Sequence, residues 1–425
     1  MSARKLSLFL GCLLVIFSSL AIAWRFRFRG NPRLERFLCQ FGICDNDALL
    51  ERGFEQLGEG DEESVKGAVE TFREALRRDP ASAYRWCDLG EALRMAGQVE
   101  QAGYCISQAL EHGPNIAPVL LRAAVFYFQV EQTRQGLECM YRVLEKTPDY
   151  DANVFSTYTR LGGGIDNILK YGLPALQRPA QAYFRHLLNQ VLNQTEVSDV
   201  QKLWDWLTAR SLVDDKLAGE YVDFLLKNHE YPTAVEAWTF QLGERKGGYP
   251  ETNELFNGSF ETETTETTLD WKIRRAEGVE VTRDSSNAQQ GRWSLRIRFE
   301  GKENLAYSHI TQRAVVKPGP HRFEAWVRTE EITTDQGIGW RIFDAESPSR
   351  LDVKTEQLVG TTKWTRLEKA FEVPAQTRLL EVQLCRRSSL KFDNKISGTA
   401  WIDAVSLRRD EIRETCQLRI ADGEF

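Results

Sequence analysis

Histidine, methionine and cysteine are scarce in this chain of 425 residues, which holds 5, 3 and 8 of them. The five histidines (His112, His186, His229, His309 and His321) are scattered, and no His-Glu-x-x-His, phosphate loop, dinucleotide fingerprint or nucleophile elbow accompanies them. Motif-borne enzyme chemistry therefore has no foothold. No cysteine pair has the spacing of a four-ligand zinc site, and eight cysteines over this length do not make a disulfide-stapled miniprotein. Excess positive charge is also missing. Against 61 Asp+Glu stand 55 Lys+Arg, a net charge of −6, which excludes a general nucleic-acid binder. What remains is ordinary globular usage, 42% hydrophobic and 27% charged, which rules out collagen-like, mainly disordered and polytopic membrane proteins.

One stretch departs from that average. Leu6 to Trp24 carries no charge and, as a helix, nearly spans a hydrocarbon core of about 30 Å. Arg4 and Lys5 precede it, and Ala21-Ile22-Ala23 fits a signal-peptide cleavage site. The run exceeds a usual signal core, and Trp24 suits an interface anchor, so residues 1–30 are read as a retained single-pass anchor with basic flanks. Apolar sequence continues beyond Cys12, which is the wrong flank for a lipidation site. Arg25, Arg27, Arg29, Arg33 and Arg36 outnumber the preceding charges, and that balance favours a cytoplasmic C-terminal part. Cys39 and Cys44 are close enough to bridge in an oxidising compartment.

From about residue 45 the sequence repeats. Pro80, Pro114 and Pro148 recur every 34 residues, each closing a helical pattern: Ala68-Phe72-Ala75, Ala102-Ile106-Ala109 and Gly136-Met140-Val143. With Trp86-x-x-Leu89-Gly90-x-x-Leu93 in its first half, the middle unit resembles a tetratricopeptide repeat (TPR). Small residues at Gly90 and Ala102 let two helices approach, and Trp86, Leu93 and Ile106 fill the gap. A single unit cannot bury its stripe, so stacking is required. The repeats cover 31–160, from a first helix at Ala48 to Leu57 to a last recognisable one at Asp151 to Leu161. Gly162 to Gly164 lacks a phosphate-loop lysine and reads as a hinge, and 161–250 as further degenerate helical hairpins. Cys105 and Cys139, one period apart, read as small buried fillers. The resemblance implies a partner protein or peptide in the concave groove.

Near Lys246-Gly247-Gly248-Tyr249-Pro250 the helical period stops. Ser294 to Phe299, His321 to Arg328, Gly339 to Phe343, Leu379 to Leu384 and Thr399 to Leu407 alternate as half-buried strands do, with regular turns between them. The expected fold is therefore α then β: an α-solenoid followed by an antiparallel β-sandwich over 251–410, with a tail at 411–425. The order of Asn257-Gly258-Ser259-Phe260-Glu261, Trp271, Val316-x-Pro318-Gly319, Phe323-x-x-Trp326-Val327-Arg328, Gly360-Thr361-x-x-Trp364 and Trp401-Ile402-Asp403 resembles the jelly-roll carbohydrate-binding modules of the galactose-binding-like superfamily. That resemblance implies a structural calcium ion, with Glu261 and Asp403 as carboxylate ligands; a second closing acid is replaced by Ala404.

Six of the eleven tryptophans lie in this last third, as stacking on sugars or core filling would require. Alternation separates the two roles: with Phe323, Ala325 and Val327 inward, Glu324, Trp326 and Arg328 face out. The same reasoning exposes Arg296, Arg298 and Gln383, and Arg341 and Arg387 complete an arginine-rich face. Guanidinium forks pair with carboxylates, so an acidic polysaccharide is the expected ligand. The expectation is a non-enzymatic, membrane-tethered scaffold at a bacterial inner membrane, with periplasmic C-terminal domains serving exopolysaccharide assembly or export. This conflicts with the arginine balance after the anchor. A purely protein-binding scaffold is the alternative; a glycan-processing enzyme would need two carboxylates that no motif places.

Overall fold

The computed structural model describes residues 46–190, 194–265 and 267–410. The segment 6–24, Cys39, Cys44 and the tail 411–425 fall outside these residues. Among the described residues no helix is long and apolar enough to cross a membrane. The chain divides between Arg210 and Ser211 into two compact units.

The first unit is helical: α1 (Asn46–Glu59), α2 (Glu62–Arg78), α3 (Ala83–Met95), α4 (Val99–His112), α5 (Ala117–Gln129), α6 (Thr133–Lys146), α7 (Asp151–Leu161), α8 (Gln177–Gln190) and α9 (Gln194–Thr208). Each proline of the 34-residue series stands two residues beyond α2, α4 or α6, where it cannot prolong the helix. Asp61 caps α2, accepting hydrogen bonds from Glu63 N and Ser64 N at 3.0 Å. Glu62 and Glu63 form the first turn of this helix, where negative charge suits the dipole.

Gly90 has no room for a side chain. A Cβ there would meet Ile106 at 3.2 Å and the Ala102 carbonyl at 3.4 Å, so its absence sets the approach of α3 to α4. Successive repeats are joined at equivalent positions: Arg122 on α5 donates to the buried Asp88 on α3 at 2.6 Å. Cys105 and Cys139 are buried fillers, and burial pushes both thiols up to about 11. After α7, Gly163 and Gly164 take φ of 69° and 93°, and a helical turn at Ile165–Asn167 widens into a π-helix at Ile168–Gly172. The repeat register ends there.

The second unit opens with α10 (Asp215–Lys227) and α11 (Tyr231–Leu242). These two helices form one of the hairpins expected over 161–250 and fall in the same compact unit as the strands. Trp238 is fully buried, edge-on to Phe256 at 6.0 Å, and the Tyr231 hydroxyl donates to Glu346. Gly219 leaves room for Thr267, whose methyl would stand 2.3 Å from a Cβ there.

The strands are β1 (Lys272–Ile273), β2 (Val279–Asp284), β3 (Ser294–Glu300), β4 (Tyr307–Val315), β5 (Gly319–Ile332), β6 (Gly339–Asp344), β7 (Asp352–Lys354), β8 (Gly360–Val373), β9 (Leu379–Arg386) and β10 (Ser397–Arg409). They form two antiparallel five-stranded sheets, ordered β1-β4-β9-β6-β7 and β2-β3-β10-β5-β8. Trp271, Trp340, Phe323, Ile297, Val327 and Val382 lie in the core between them. Two of the six late tryptophans are therefore core residues. Alternation did not reveal β4 or β8 as strands. Buried Gln312 interrupts the apolar pattern of β4, and β8 is an edge strand whose exposed charges dilute its own.

Candidate functional site

On β5 the inward residues Phe323, Ala325 and Val327 are fully buried, and the alternate residues Glu324, Trp326 and Arg328 are half-buried on the outer face of the second sheet. Trp326 stands between Arg366 on β8 and Asp403 on β10. In the next row Arg328 lies over the ring of Trp401 at 5.0 Å, with Arg296 on β3 across from that tryptophan. Trp364, at a register shift on β8, is half-buried.

The loop between β2 and β3 folds over part of this face. Arg328 donates to Asn287, and Trp401 Nε1 donates to Asp284 at 2.7 Å, which leaves Trp401 buried. Trp293 at the end of the loop lies beneath the guanidinium of Arg283, 4.4 Å from the ring centre. Much of the positive charge is internally matched: Arg366 bonds Glu368 at 2.8 Å, and Glu324 lies 3.7 Å from both Arg366 and Arg408. Arg296 reaches Glu280 at 3.8 Å. Arg298 is exposed and makes no ion pair among the described residues.

The expected arginine-rich face is divided by the structure. Arg341 and Gln383 are cross-strand neighbours on the first sheet, whose outer face points to the other side of the sandwich, and Arg387 follows β9 of that sheet. Arg341 grips Asp352 with two hydrogen bonds, at 2.9 and 2.8 Å, and lies over Phe343. Gln383 makes one long bond to the Ser308 carbonyl, and Arg387 is exposed. Alternation specifies inward or outward but not which sheet a strand joins, so residues of two faces read as one.

Glu261 and Asp403 do come together, through the same loop. Glu261 Oε1 accepts hydrogen bonds from Arg292 N and Trp293 N at 2.8 and 3.0 Å. Asp403 Oδ2 accepts from Gln289 N and Gln290 N at 2.7 and 2.8 Å, and its Oδ1 from Ala404 N. Burial raises the Asp403 carboxyl above its ordinary value, the loop N–H groups oppose the rise, and the Glu261 charge adds to it. Calcium is held by oxygen ligands, whereas Glu261 Oε1 and both Asp403 oxygens already accept N–H donors. Among the described residues no three His, Cys, Asp or Glu side chains cluster as cation ligands. The residues present fit a strap that ties the loop down; they do not fit a calcium site.

The opening motif has a steric cause. At the bulge after Asp403 the Val405 N–H donates to the Gly258 carbonyl at 2.8 Å, and a Cβ at Gly258 would lie 1.9 Å from the Val405 oxygen. Asn257 bonds the Thr262 backbone through both side-chain atoms, which closes the turn after it.

No family model matches this chain, and no curated protein matches it. Among solved structures, the xylan-binding CBM22-1 domain of Paenibacillus barcinonensis Xyn10C is similar at 19% identity and a TM-score of 0.25, over 36% of this chain and 90% of that one. A family 16 carbohydrate-binding module is similar at 15% identity and a TM-score of 0.27, over 37% of this chain and 100% of that one. Pseudomonas aeruginosa pilF is similar at 15% identity and a TM-score of 0.25, over 49% of this chain and 93% of that one.

Proposed function

We propose that this protein is a non-catalytic scaffold that binds a partner protein through its helical repeats and a polysaccharide through its β-sandwich. The observation that carries the reading is Trp326, a half-buried ring on an outward strand position with arginines beside and across from it. Such a ring offers an apolar face to a sugar, and the guanidinium groups suit a glycan bearing carboxylates. For the repeats, support comes from a cavity of about 190 Å³ lined mainly by α3 and α5, where Leu121, Val125 and Phe126 lie beside Arg94, Glu91 and Gln129. Apolar contacts flanked by charge suit a peptide.

In this reading Leu6 to Trp24 tethers the protein to a bacterial inner membrane with its C-terminal part in the periplasm, where it serves exopolysaccharide assembly or export. Tethering lets weak protein and glycan contacts add. The test is a glycan array probed with the full chain and with Trp326→Ala. Uronate polymers bind the former more tightly than the latter, at equal melting temperature; unchanged binding by the variant rejects this face. A C-terminal reporter that matures in the cytoplasm rejects the location.

A second reading, a protein-binding sandwich with no glycan ligand, is favoured by Leu390 and Phe392. Both are fully exposed in the loop after β9, as apolar residues awaiting a partner subunit are. An array on which no glycan binds, with a partner protein retained on the wild-type chain and lost with Phe392→Ser, selects it.

A further inference from the structure

Within the second unit, the end of α10 and the His229 turn line, together with the outer face of the first sheet, a cavity of about 430 Å³. That volume lies in the range of small-ligand sites, roughly 300 to 1,000 Å³. The negative charges in it are already matched. Asp223 lies 3.4 Å from Lys272, and Glu381 3.1 Å from Arg313. Glu346 takes Arg350 at 2.9 Å, His229 at 3.0 Å and the Tyr231 hydroxyl.

Two positive charges are not matched. Lys227, the last residue of α10, and Arg274, just past β1, both line the cavity and are exposed, and neither makes an ion pair among the described residues. Unpaired cations facing one groove between protein walls concentrate a positive potential there. Thr311, across from the outward Gln383, also lines the groove and brings a hydroxyl to it.

We propose that this groove is a second ligand site, selective for a carboxylate-bearing saccharide, with Lys227 and Arg274 pairing with the carboxylate and a sugar hydroxyl meeting Thr311. The proposal takes the sugar from the glycan reading above and the carboxylate from the unpaired charges. It differs from the Trp326 face in lying on the other sheet and in having one wall made of helix. A ligand held there would also bridge α10 to β1 and β4.

The test uses the full chain and tetragalacturonate, with binding followed by calorimetry and by hydrogen exchange. The double variant Lys227→Ala/Arg274→Ala, at two exposed positions, is expected to weaken binding by about tenfold or more, as loss of a charge-assisted pair does. Trp326→Ala is expected to leave this short oligomer bound, and amides around 223–231 and 268–275 to slow on binding. Equal affinity of the double variant and the wild type overturns the groove. Loss confined to Trp326→Ala, or binding of uronate polymers without tetragalacturonate, overturns the groove and leaves the glycan reading standing. Failure of the wild type to bind any uronate overturns both.

Discussion

The helical unit and the sandwich solve the same problem, burying an apolar core, over different distances along the chain. In the repeats each helix packs mainly on its sequence neighbour, and the join between repeats is one period long, as Arg122 with Asp88 shows. In the sandwich the decisive bonds span most of the unit: the Asp403 carboxylate accepts from N–H groups 114 and 113 residues away. Local cores tolerate local damage, whereas a core closed by distant strands is all or none.

The largest test of that contrast is Trp340→Ala. This ring is fully buried against Trp271 and Phe323, and its loss is expected to cost about 3 to 5 kcal/mol and abolish the sandwich transition as a whole in a calorimetric melt. Met140→Ala, at an equally buried site on α6, is expected to cost about 2 to 4 kcal/mol. Hydrogen exchange should then quicken in α5 to α7 while α1 and α2 keep their protection. Uniform loss across the array would erase the difference between the units.

Asp403→Ala leaves two loop N–H groups without their acceptor and should destabilise the sandwich by about 1 to 3 kcal/mol, read as a lower melting temperature. Calcium or a chelator should not move the wild-type melt. A chelator-induced drop of several degrees would restore the metal to this site.

The smallest expected effect is a pH dependence confined to the sandwich. Burial lowers the His321 pKa, but Glu254 at 3.2 Å and the Gly319 carbonyl more than offset it, so the value lies above the usual 6.5. A raised value in the folded state means this stabilisation is complete below about pH 6.5 and is lost as pH rises through the folded value. The sandwich melt should fall by a few degrees across that range and the helical melt should not. Glu254→Gln should flatten the curve.

Much of the architecture was legible in the chain. The recurrence of proline every 34 residues and the alternation on β3, β5, β6, β9 and β10 are local patterns, and the described structure keeps them. Helix α8 falls within the hairpins expected over 161–250, but its bounds were not legible because no repeat register continues past Gly162 to Gly164. The outward position of Trp326 was also legible, since period two follows from the backbone. The company it keeps was not. Asp284, Asn287 and the N–H groups of 289 to 293 reach this face only because their loop folds back over it, and no spacing in the sequence announces that.

From sequence alone came the helical and strand periods, the side each strand residue faces, and the small residues on which close packing depends, because each follows from a few neighbouring residues and the geometry of the backbone. Tertiary structure decided which strands share a sheet, so that Arg341 and Gln383 part from Arg296 and Arg328. It also decided that Glu261 and Asp403 meet N–H groups and that Lys227 and Arg274 line one groove. Those outcomes depend on pairings between distant residues, whose register only the closed core selects.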